Sequence, residues 1–90
     1  EKIMEKKHII NRMAVAAYSA KKFLARGNTV LAAYYYGQYS ADAAHITLHV
    51  DPWTVADDPT VPYITREHVN DMFENAHAVY EKLIAPAFND

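Results

Sequence analysis

The stretch NTVLAAYYYGQYSADAAHITLHV, residues 28–50, decides the fold. Its second half alternates, with Ile46, Leu48 and Val50 set between His45, Thr47 and His49. A period of two with β-branched residues reads as a half-buried strand. A strand alone leaves its backbone groups without partners, so it needs a neighbour. Residues 30–39 are the nearest candidate, because Tyr34, Tyr35, Tyr36 and Tyr39 suit a pleated surface. Ser40-Ala41-Asp42-Ala43 would then turn the chain between two strands. The competing reading is a helix capped by Asn28 and running through Ala44. Its alanines favour that reading and Gly37 opposes it. The hairpin is preferred here.

The segments on either side are helical by pattern. In residues 2–26, apolar or small side chains recur at Ile3, Ile10, Met13, Ala17, Ala20 and Leu24. Glu5, His8, Arg12, Ser19, Lys22 and Arg26 form the opposite stripe, as the 3.6-residue period requires. Gly27 supplies the left-handed residue that ends such a helix. Near the C-terminus, Thr65 is placed to cap a helix whose apolar stripe is Val69, Met72, Phe73, Ala76, Val79, Tyr80 and Leu83. Glu67, Asp71, Glu74, Ala78 and Glu81 face away, and Pro86 is expected to stop it. Residues 51–64 carry Pro52, Pro59 and Pro62 and read as a loop, with Trp53 pinning it to the core. The expected fold is therefore α+β in a single domain, residues 1–90: long helix, β-hairpin, proline-rich loop, helix. The alternative is a mostly α chain of three helices.

Charge is divided unevenly. Residues 1–28 hold seven cations against two carboxylates, a net +5, and residues 29–90 hold two against nine, a net −7. The overall −2 conceals this dipole. Such asymmetry points to a charged partner or to one half neutralising the other. Arg12, Lys22 and Arg26 lie on the basic face of the first helix and could track phosphates. A nucleic-acid domain usually has a pI above ~9, and this chain's is near 6.2, which makes that the second reading. The nine carboxylates suggest a further analogy, of size and charge only, with small phage-type antagonists that occupy the basic groove of a host-defence enzyme.

Catalytic signatures are lacking. There is no cysteine, and two glycines cannot build a phosphate-cradling loop. Neither a nucleophile elbow nor a zincin motif is present. A metal-dependent enzyme built on Asp42, His45 and His49 would need those residues on a helix, because on a strand the two histidines stand roughly 13 Å apart. No cofactor and no metal are expected.

Four tyrosines within six residues are the strongest functional hint, since exposed tyrosine gives large rigid contact area. On a strand, Tyr34 and Tyr36 would face one way, and Tyr35 and Tyr39 the other. The expected function is a non-catalytic protein-interaction module, a regulator or inhibitor of a larger enzyme. Tyr34, Tyr35, Tyr36 and Tyr39 would form its contact surface, with Asp57 and Asp58 at the rim. A homodimer is expected through pairing of hairpin edges. The absence of cysteine favours the cytoplasm, and no run approaches a membrane span.

Overall fold

The computed structural model describes residues 2–49, 53, 56 and 64–88, with side chains described from His8 to Ala44 and again at 53, 56 and 64–88. Three long helices are present: α1 (Lys2–Ala25), α2 (Thr29–His49) and α3 (Arg66–Val79). No strand occurs among the described residues. The hairpin and the α+β class are thus overturned in favour of the all-helical alternative, and an edge-paired dimer loses its basis.

The reason lies at residues 23–32. The Asn28 N–H donates to Phe23 O at 2.9 Å and the Gly27 N–H to Leu24 O at 3.0 Å. This is the double bond of a Schellman cap, with Gly27 at φ 80°. Asn28 then starts the next helix. Its side-chain oxygen accepts from the Leu31 N–H at 3.1 Å, and its carbonyl accepts from the Ala32 N–H at 3.1 Å. One residue finishes α1 and begins α2, so the chain must fold back. Helix propensity of the alanines does the rest. Gly37 weakens this helix without breaking it, and no close contact requires a glycine there, since nothing lies within 4 Å of where a side chain would be.

α2 runs antiparallel to α1. Phe23 stacks on Tyr35 near the turn, and Arg12 pairs with Asp42 at the far end. Small side chains at Ala16, Ala17, Ala20 and Ala32 are buried and let the helices approach closely. α1 packs against both α2 and α3, which touch each other less. The core joins Ile10 and Met13 of α1, Tyr39 of α2, Val69, Met72 and Ala76 of α3, and Ile64. Trp53 is half-buried on this core against Phe73, as expected, with the Arg66 guanidinium 5.3 Å from its ring centroid, but its backbone and that of Ala56 are helical, so the loop expected over 51–64 is corrected at the residues described there.

α3 starts as read, with the Thr65 hydroxyl accepting from the His68 N–H at 3.0 Å. Its end differs. The helix widens into a π turn over Tyr80–Ile84 and continues through Ala85–Phe88. Pro86 has no N–H to give to the carbonyl four residues back, and its ring crowds that carbonyl. The turn ahead opens instead, and the Ala85 N–H reaches Tyr80 O. Tyr80, expected inward, is exposed.

The two glycines should respond oppositely to alanine. Gly27→Ala places a side chain at positive φ and is expected to lose about 1–2 kcal/mol. Gly37→Ala fills open space in a helix and should gain about 1 kcal/mol. Urea denaturation of both variants checks this. Destabilisation at both positions would contradict a helical residue 37.

Candidate protein interface

The four tyrosines, 100° apart per residue on a helix, do not sort into two faces as a strand would sort them. Tyr39 is buried and Tyr36 half-buried, with ring centroids 5.8 Å apart. Burial pushes the Tyr39 phenol above its ordinary value of 10.0, and the charge of an ionised Tyr36 adds to this. Tyr35 lies between helices, stacked on Phe23 at 5.7 Å and 5°. It also meets the edge of Tyr34 at 5.1 Å. Tyr34 alone of the four points fully outward, 57% exposed, and its hydroxyl accepts from Gln38 Nε2 at 3.2 Å. The expected tyrosine surface therefore reduces to Tyr34. The other three hold α2 to the molecule. Asp57 and Asp58, the expected rim, lie outside the described residues.

What surrounds Tyr34 is distinctive. Val30 is 78% exposed, and Ala33, Gly37, Ala41 and Ala44 are exposed with it. The only charged side chain between Thr29 and Ala44 is Asp42. It turns toward α1 and accepts two bonds from Arg12, Nε to Oδ2 and Nη2 to Oδ1, each 2.9 Å. Such a bidentate fork fixes both partners. The hydrogen bond to Asp42, and then its charge, raise the Arg12 pKa further, so the guanidinium stays charged. Between the pair and Tyr34 a shallow cleft of about 420 Å³ opens, floored by Gly37 and Ala41.

The same fork bears on the other readings. Arg12 reaches phosphate only by giving up Asp42, whereas Lys22 on α1 and Arg26 in the turn after it remain exposed. Residues 45 and 49 do lie on the backbone of α2, as a metal site would require, but Asp42 is already engaged. Their side chains lie outside the described residues. Among the described residues no group of three His, Asp or Glu side chains could hold a metal ion. None of the described helices is long and apolar enough to cross a membrane.

A second surface escaped the sequence reading. Val15 and Tyr18, 64% and 58% exposed, stand off the buried stripe of α1. They line a cleft of about 400 Å³ with His68, Asp71 and Met72 of α3. The signal was present: neither residue fits the stripe drawn through Ile10, Met13 and Ala17, and large apolar residues off that stripe are the ones to explain. His77, on the outside of α3, lies 3.6 Å from Glu81.

Comparisons with protein-family models, with curated proteins and with solved structures gave no match to this chain.

Tyr39 gives an alkaline prediction. Its folded pKa lies above the unfolded value of 10.0, so the stability it confers is complete below about pH 10. That stability is lost as pH rises through the higher folded pKa. Denaturant midpoints between pH 9 and 12 should fall less steeply in Tyr39→Phe than in the parent. Identical profiles would place Tyr39 in solvent.

Proposed function

We propose that this chain is a non-catalytic protein-interaction module that docks a partner on the outward face of α2. The observation that carries the reading is a helix face free of charge and exposed over four turns, with Val30 and Tyr34 projecting from it. A face used only against water would ordinarily carry ions. Here the sole carboxylate is turned aside to Arg12. Alanines and Gly37 let a partner's backbone come close, and Tyr34 supplies the rigid aromatic that dominates binding energy at interfaces. The surface suits an apolar, uncharged helix or strand of another protein. A regulator or inhibitor of a larger enzyme, acting in the reducing cytoplasm, fits a chain of this size without cysteine.

Tyr34→Asp combined with Val30→Asp tests the surface without touching the core. The variant should keep the parent's circular dichroism and lose about tenfold or more in capture of a protein partner from lysate. Equal capture by parent and variant, or no protein retained by the parent, would overturn the assignment.

A further inference from the structure

We infer that the aromatic cleft where α2 meets α3 and the π turn takes the guanidinium group of an arginine side chain presented by a partner protein. The inference rests on the chain's being an interaction module, but it uses a surface of its own, since neither Val30 nor Tyr34 lines this cleft. Three observations carry it.

First, aromatic side chains from three elements meet here. Tyr36 and Tyr39 come from α2, Phe73 from α3 and Tyr80 from the head of the π turn. With Ala76 and His77 they line an open cleft of about 330 Å³. The Tyr36 and Tyr39 rings are tilted by 41° at 5.8 Å, so they do not close on each other as a stacked pair. Tyr80 is 37% exposed and begins the π turn, a departure from α geometry that recurs at functional sites. A space of this size takes one side-chain head group rather than a helix. Aromatic rings have negative faces, and several of them around one space attract an organic cation.

Second, one phenol in the cleft lacks a partner. Tyr39 is 9% exposed, yet its hydroxyl makes no hydrogen bond among the described residues, whereas the Tyr34 hydroxyl accepts from Gln38. Nor is that oxygen sealed inside the chain. Among the described residues, the buried side-chain polar atom closed off without a partner is His68 Nε2. The Tyr39 hydroxyl therefore reaches the surface where Tyr39 does, at the cleft. An occupant bearing N–H groups can donate to it.

Third, charge selects the occupant. No lysine or arginine lines the cleft. Its histidine, His77, has Glu81 3.6 Å away, and residues 29–90 carry a net −7. An anion would meet that carboxylate and the negative ring faces. A purely apolar group would cover the Tyr39 hydroxyl and leave it unpaired, which is costly. An ammonium is compact and strongly hydrated, and gives up its water reluctantly. A guanidinium is flat, weakly hydrated and always charged; it stacks on rings and still has N–H groups to donate to a phenol oxygen.

The test is an NMR titration of the full chain with N-acetyl-Gly-Arg-Gly-amide. The same peptide is titrated with citrulline, the uncharged isostere of arginine, and with lysine in its place. The arginine peptide should bind saturably, with a dissociation constant in the millimolar range. It should shift the ring resonances of Tyr36, Phe73 and Tyr80, and its own δ-methylene protons should move upfield. The citrulline peptide should bind about tenfold more weakly and the lysine peptide about threefold more weakly. Tyr80→Leu should weaken the arginine peptide about tenfold, and Tyr80→Phe, which keeps the ring, should stay within about twofold of the parent. Circular dichroism checks that both variants fold, and the contrast among the three peptides needs no variant. No saturable shift with the arginine peptide, equal binding of the citrulline or lysine peptide, or parent-like binding by folded Tyr80→Leu would each overturn the inference. Tyr34→Asp with Val30→Asp should bind the arginine peptide as the parent does, so failure of this site and failure of the α2 surface are read separately. Loss of binding in that variant would place the peptide on α2 and overturn the inference too.

Discussion

The turn at Gly27 and Asn28 is the constraint on which the structure depends. A Schellman cap and an N-cap share Asn28, so α1 and α2 are joined with almost no slack. A connection that short favours antiparallel neighbours. Once α2 lies back along α1, Phe23 meets Tyr35, the buried alanines come into register, and Arg12 arrives beside Asp42. α3 then covers the apolar side of α1 that α2 leaves open. Local backbone chemistry at two residues thus determines which side chains become core and which become surface.

The Arg12–Asp42 fork carries the consequence from packing into function. It ties the open end of the α1–α2 hairpin opposite the turn. It also occupies a cation that phosphate recognition would use and a carboxylate that a metal site would use. What it leaves is α2 with a neutral outer face. As a partly exposed pair it contributes modestly to stability, and its larger effect is on where charge is absent.

Much of this was legible in the residues. α1 and α3 followed from their 3.6-residue stripes, and both Gly27 and Thr65 serve as the caps their identities implied. Residues 28–49 were misread because their evident features, four tyrosines and an alternating Ile46–Leu48 tail, suit a sheet as well as a helix. The decisive signal was quieter. Ala32, Tyr36, Tyr39 and Ala43 recur at steps of four, three and four, and all four are buried or half-buried. Two of them are alanines, whose small apolar area makes a stripe easy to overlook. The expected tyrosine surface suffered the same error, since which tyrosines face solvent depends on whether the period is two or 3.6. Pro86 by residue type implies a stop, and the backbone instead widens into a π turn, an outcome that depends on packing as well as on residue type.

The most direct test is the nuclear Overhauser pattern along residues 28–49 in solution. The account predicts unbroken amide–amide and Hα(i)–HN(i+3) contacts from Leu31 to Ala44, passing through Gly37. Cross-strand Hα–Hα contacts between residues 30–39 and 45–50 would contradict it, and with it the neutral outward face of α2.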